Sequence, residues 1–164
     1  MSWTLKLVGA ALVLGAAAVV SKKYARHLRL RAELTRGYAE LLGHIKSKIS
    51  AYLAPPSELI VGFECDSLER VGYLAAARES GTPVKAYFDV RERCPLEAES
   101  LRLLDGYFRG FGKNYKDDLV RITEEVRGEL DARASRLFEE LPREVRLSRT
   151  VIFAIALGAV ILLV

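Results

Sequence analysis

The chain has 164 residues, 51% of them apolar and 28% charged, with a formal net charge of +4 and two cysteines. That length suits one domain of ordinary size, and so high an apolar fraction excludes a disordered chain. Two cysteines exclude a disulfide scaffold and a four-cysteine zinc site.

The charges are segregated. Apart from Lys6, every charged side chain lies between Lys22 and Arg149. Leu7–Val20 and Val151–Val164 carry no polar side chain at all. A bilayer core takes roughly 20 helical residues, so each run needs help from its flanks. Trp3 suits an interface and Lys6 can snorkel, which extends the first run to about 18 residues or roughly 27 Å. Arg149 extends the second in the same way. The expectation is an N-terminal membrane helix over 3–21, a cytoplasmic helical bundle over 22–147 and a C-terminal membrane helix over 148–164. A signal peptide is the competing reading, because Lys6, the apolar run and Ala16-Ala17-Ala18 match its three regions. Against it, Ser21-Lys22-Lys23 follow in helical phase, and a secreted protein leaves the second apolar tail unexplained.

Lys22, Lys23, Arg26, Arg29 and Arg31 follow the first run with no acid before Glu33; Arg143, Arg146 and Arg149 precede the second. Lys and Arg beside membrane spans stay in the cytoplasm, which sets both flanks on that side. Such a cluster also suits nucleic acid. Beside a membrane run, anionic headgroups are the better partner, so Lys22, Lys23, Arg26, Arg29 and Arg149 form the candidate membrane-interface cluster.

Leu34, Tyr38, Leu41, Ile45, Ile49 and Tyr52 recur on one helix face, so 22–53 reads as a helix continuing out of the membrane. Gly37 and Gly43 weaken it, and Ala54-Pro55-Pro56-Ser57 ends it. A short helix is expected from Ser57 to about Phe63. Asp66 with Glu69 looks like a capping box opening a helix that carries Leu68, Val71, Leu74 and Ala75 to Ser80-Gly81. Thr82-Pro83 restarts a helix with Val84, Tyr87, Phe88 and Val90, and Cys94-Pro95 repeats that device. The next helix presents Leu96, Leu101, Leu104, Tyr107 and Phe108 and ends in Gly110–Asn114. The last soluble helix spans about Tyr115 to Leu141. Its stripe of Leu119, Ile122, Val126, Leu130, Leu137 and Leu141 suits antiparallel packing on the first long helix. Glu129 and Arg133 are spaced as an ion pair, and Pro142 marks a kink or a new start. The fold class is all-α.

Chemistry is sparse. Gly106–Lys113 resembles a phosphate loop, but Tyr107 stands where its first Gly belongs and Asn114 where Ser or Thr should bind magnesium. An inter-helix turn is the expectation. His27 and His44 read as surface residues without partners at ligand spacing. Cys65 and Cys94 read as small buried residues rather than nucleophiles. Asp117-Asp118 and Glu124-Glu125 are adjacent on a helix, so each pair diverges instead of facing one substrate. No catalytic, cofactor or metal residue is assigned.

The order of parts resembles the stage III sporulation protein AB family of endospore-forming bacteria. Leu5-Lys6-Leu7-Val8-Gly9-Ala10 looks like the family's opening. The helix to Ile49 followed by Ala54-Pro55-Pro56-Ser57-Glu58-Leu59 is similar to its first helix and turn. Leu103-Leu104 through Phe111-Gly112, then a charged helix and an apolar tail with Leu157-Gly158, is similar to its second half. Phe111, Tyr115 and Leu119 depart from the family's Leu, Asp and Gln, so only Gly112 of that motif carries over. The resemblance implies a bundle similar to the cytoplasmic domains of type II secretion and pilus platform proteins. It also implies a mother-cell membrane location and contact with a secretion-type ATPase. The expected role is a non-enzymatic platform that docks this ATPase, with Phe111, Gly112, Lys113 and Asn114 as the candidate partner-binding turn. No cofactor, nucleic acid or small-molecule substrate is expected; partners are the ATPase, other membrane components and the bilayer. A membrane-anchored enzyme using His44 or Cys65, or a secreted helical protein, is the alternative.

Overall fold

The computed structural model describes residues 3–51, 55–113 and 116–163, with side chains for 8–51, 55–113 and 116–161. The side chains of Trp3 and Lys6, and residues Tyr52, Ala54, Asn114 and Tyr115, therefore lie outside the described set. Among the described residues six helices occur: α1 (Trp3–Ala51), α2 (Asp66–Arg70), α3 (Tyr73–Ser80), α4 (Pro83–Val90), α5 (Ala98–Gly110) and α6 (Lys116–Leu163). Single 3-10 turns lie at Pro56–Glu58 and Arg91–Arg93, and no strand occurs among the described residues. The chain is all-α. It divides into two compact units, 30–137 and 1–29 with 138–164.

In the unit 30–137, α1 supplies the spine. Leu34, Tyr38, Leu41 and Ile45 are fully buried and Ile49 nearly so, the stripe expected from their spacing. α6 runs antiparallel beside it. Lys46 Nζ reaches Glu124 at 2.9 Å and Lys116 donates to the Ser50 carbonyl at 3.4 Å. Leu119, Leu130 and Ala134 are buried along that seam, and Ile122 and Val126 pack against it. Ala134 fills the gap in the leucine stripe. Arg133 pairs with Glu99 of α5 instead of Glu129, because a partner across the seam is in reach.

Gly37 marks a close approach. A Cβ there would lie 2.6 Å from Ser67 Oγ and 2.9 Å from Cys65 Sγ. The start of α2 thus sits against the α1 backbone, and Ser67 donates to the Glu33 carbonyl at 3.1 Å.

Four local expectations are corrected. Ser57–Phe63 is one 3-10 turn followed by hydrogen-bonded turns, with Gly62 at φ +80°. Asp66 is the first residue of α2 rather than its cap, and the Cys65 side chain, in the capping position, makes no hydrogen bond to the α2 backbone. Glu69 pairs with Arg78. The single helix expected from 66 to 80 is two, because Gly72 adopts φ +80°, a left-handed conformation that ends a helix. Cys94-Pro95 does not open α5. The chain stays extended to Glu97, burying Cys94 and Leu96, and α5 starts at Ala98. The Thr82 cap is as expected, its hydroxyl accepting from the Lys85 N–H at 3.3 Å, and Gly81 closes α3 at φ +68°. α6 passes through Pro142 without a break. Pro142 is exposed, so the backbone bond it removes lies at a water-accessible surface.

The remaining core is a cluster of rings. Tyr38 meets Tyr73 and Tyr87 edge-on at 5.5 and 6.0 Å, Tyr87 stacks on Phe108 at 4.6 Å, and Tyr107 stands edge-on to Phe108 at 5.2 Å.

In the other unit, α1 and α6 supply one segment each. The well-buried positions are Ala17, Ser21, Leu28 and Ala156, three of them small, which lets helix backbones approach. The large apolar side chains face outward: Leu12 and Ile155 are each 69% exposed and Ile161 68%. By length and composition α1 contains a stretch able to cross a membrane.

Candidate functional site

Polar and charged groups concentrate in three places: the core, the turn after α5 and the basic segments beside the apolar runs.

The core phenols and the Asp105 carboxylate are held by hydrogen bonds, while the buried Ser100 hydroxyl has no partner among the described residues. Tyr73 donates to the Pro83 carbonyl at 3.3 Å. Thr123 donates to the Leu119 carbonyl at 2.6 Å, which leaves Tyr107 to donate to Thr123 at 3.1 Å. Tyr87 donates to Asp105 Oδ1 at 2.8 Å. Arg91 grips the same carboxylate with two nitrogens, at 2.7 and 2.6 Å. The Arg91 bond is the largest influence holding Asp105 below the usual carboxylate range. Burial raises the phenols of Tyr38, Tyr73 and Tyr87, and pushes Tyr107 up to about 12. Each of these phenols keeps its proton at neutral pH.

Cys94 is buried 3.6 Å from the Tyr38 hydroxyl, and burial raises its thiol. A thiol so placed is a poor nucleophile. Cys65 is half-buried against Ser67 at 3.3 Å. His27 is exposed. His44 differs from expectation: it is half-buried, tilted on Phe63 at 5.3 Å, with Nε2 buried and unpartnered. Burial, then neighbouring Lys48, lowers its pKa. Nothing in the sequence spacing signals this, because Phe63 reaches His44 from an irregular loop. Among the described residues no group of three His, Cys, Asp or Glu is placed to hold a metal.

In the turn, Phe111 is half-buried and meets Tyr107 edge-on at 5.7 Å. Gly112 is exposed at φ +81°, and Lys113 is exposed with its N–H bonded to the Gly110 carbonyl. Among the described residues of the turn, Gly112 and Lys113 are the accessible ones. A second surface feature was not expected from the sequence. Val61 is 61% exposed on the rim of a groove of about 450 Å³ floored by Ile60, Phe63 and Ala77.

The basic segments show the sharpest pattern. In 30–137 most arginines have an acid: Arg31–Glu97, Arg70–Glu33, Arg91–Asp105, Arg121–Glu125 and Arg127–Glu124 are examples. Lys22, Lys23, Arg26, Arg29, Arg143, Arg146 and Arg149 are all exposed, and none makes an ion pair among the described residues. α1 and α6 bring the two basic segments to one level, because Tyr24 and Leu147 line the same cleft. The result is a collar of seven uncompensated cations bordering outward-facing apolar helices.

A family model described as stage III sporulation protein AB matches residues 6–164. No curated protein and no solved structure matches the chain.

Proposed function

Because the chain belongs to the stage III sporulation protein AB family, we propose that it is a membrane-anchored, non-enzymatic platform of a sporulation secretion-like complex. It crosses the mother-cell membrane twice, through 3–21 and 148–164, and keeps residues 22–147 in the cytoplasm. There it docks a secretion-type ATPase. The reading is supported above all by one observation: outward-facing Leu12, Val19, Ile155 and Ile161 on paired helix segments, next to exposed, unpaired cations. Water does not tolerate so continuous an apolar surface, whereas lipid tails cover it. The cations then hold the adjoining segments at the cytoplasmic face.

Anchoring helps docking by geometry. A bundle fixed at the membrane raises the local concentration of its partner there without any new contact. The core rings pack on one another and each of their phenols holds a partner, which suits a rigid support. The candidate contact is the Phe111–Asn114 turn, where Gly112 and Lys113 are exposed.

The test is co-purification of the full chain in mild detergent with the ATPase of the same complex. The platform reading expects a stoichiometric complex, weakened about tenfold by Lys113→Glu if that cation steers the contact. No complex at micromolar concentrations contradicts it.

A further inference from the structure

We propose that the collar and the cleft it borders form a binding site for an anionic phospholipid. This rests on the membrane reading above and adds a ligand class to it.

The cleft lies within the unit of 1–29 and 138–164. It has a volume of about 460 Å³ and is lined by Tyr24, Glu144, Leu147, Ser148, Val151 and Ile152. Its chemistry is graded along the helices. Tyr24, Glu144 and Ser148 form the polar part, and Val151 and Ile152 lie deeper into the apolar run. The Ser148 hydroxyl is already donated to the Val145 carbonyl at 3.0 Å, so it does not compete for a ligand. Tyr24 is 46% exposed, an amphipathic ring at the level where headgroup meets chain. An acyl chain fits the deeper, apolar part.

The headgroup is chosen by charge. Arg143 stands one helical turn from Leu147, while Arg146, Arg149 and Lys23 lie at the same level on other faces of their helices, so the cations ring the cleft rather than line it. All are exposed and lack a protein counter-ion among the described residues. The lining itself holds no cation, and its one charged side chain is the acid Glu144, so the attraction comes from the surrounding collar. A zwitterionic headgroup leaves these cations uncompensated, whereas an anionic phosphodiester neutralises them. Such attraction amounts to about fivefold in partitioning per cation near the surface and fades within a Debye length as salt is added.

The test uses the full chain in vesicles of phosphatidylcholine and phosphatidylglycerol. Spin-labelled analogues of each report which lipid is held at the protein. The expected result is a preference for phosphatidylglycerol that falls with salt. It falls severalfold in R143Q/R146Q/R149Q and in K22Q/K23Q/R26Q/R29Q, and rises in E144Q. All of these positions are solvent-exposed, so bundle folding is preserved and is checked by circular dichroism. Equal retention of both lipids by a chain that resists alkaline carbonate overturns the lipid site and leaves the membrane reading intact. Extraction by carbonate overturns both. Displacement of the labelled lipid by millimolar inorganic phosphate assigns the cations to a free anion and also overturns the proposal.

Discussion

Leucine and arginine are handled in opposite ways by the two units. In 30–137, Leu34, Leu41 and Leu104 have no exposed surface and most arginines hold an acid. In 1–29 with 138–164, Leu12, Leu147 and Leu157 are more than half exposed and the exposed cations hold none. One unit satisfies itself, while the other leaves both its apolar and its charged groups for something outside the chain. The contrast teaches that the same residue types report their surroundings, and the proposed membrane anchoring accounts for the change along the sequence.

The most severe way to probe this contrast is to cut a large side chain on each side of it. Tyr38→Ala should cost the bundle about 3–5 kcal/mol, because it removes a buried ring touching Tyr73 and Tyr87. Leu12→Ala should leave that stability within about 0.5 kcal/mol. Urea unfolding of the full chain in detergent, followed by the near-ultraviolet signal of the tyrosines, reads both. Equal losses would erase the distinction between the units.

Gly37→Ala sharpens the same comparison within α1. Its Cβ must displace Ser67 and Cys65, at an expected cost of about 1–3 kcal/mol. Gly15→Ala, where a Cβ meets nothing within 4 Å, should be neutral to bundle stability.

Asp105→Asn keeps an acceptor for Tyr87 but removes the charge that Arg91 holds, and should cost about 1.5 kcal/mol in the same assay. The folded Asp105 carboxyl titrates below its ordinary value. Its contribution is therefore complete above about pH 4 and lost as pH falls through the folded value. An acid-induced loss of stability below about pH 4 should diminish in the Asn variant.

The smallest effect is expected at His44. Burial favours its neutral form, so the folded value lies below the unfolded one. Its contribution is present above about pH 6.5 and is lost as pH falls below that value, levelling off beneath the folded value. Unfolding midpoints at pH 7.5 and 5.5 should converge in His44→Gln.

Much of this fold is legible in the sequence wherever one helix face repeats. The spacing of Leu34, Tyr38, Leu41 and Ile45 marks the spine because burial on one side selects that period, and Thr82-Pro83 marks a start because its cap is local. The misreadings share a cause. A single helix from 66 to 80 and a start at Cys94-Pro95 follow from local signals, but a left-handed turn at Gly72 and the burial of Leu96 decide the boundaries. Pro142 reads as a kink or a new start, yet α6 continues through it, and its exposed position tolerates the lost backbone bond. At the candidate sites, the basic segments are visible in the sequence, but their lack of counter-ions is not. Arg29 and Arg31 read alike until the structure gives Arg31 its Glu97. The Val61 groove and the shielded His44 depend on an irregular loop, which has no period to read.

The central claim is that both basic segments lie on the cytoplasmic side of a membrane crossed at each end of the chain. Single cysteines introduced as Arg29→Cys and Arg149→Cys, in a background of Cys65→Ser and Cys94→Ala, test it with a membrane-impermeant maleimide. With the proposed topology, neither site labels in intact cells and both label after permeabilisation. Labelling of either site from outside intact cells would contradict it.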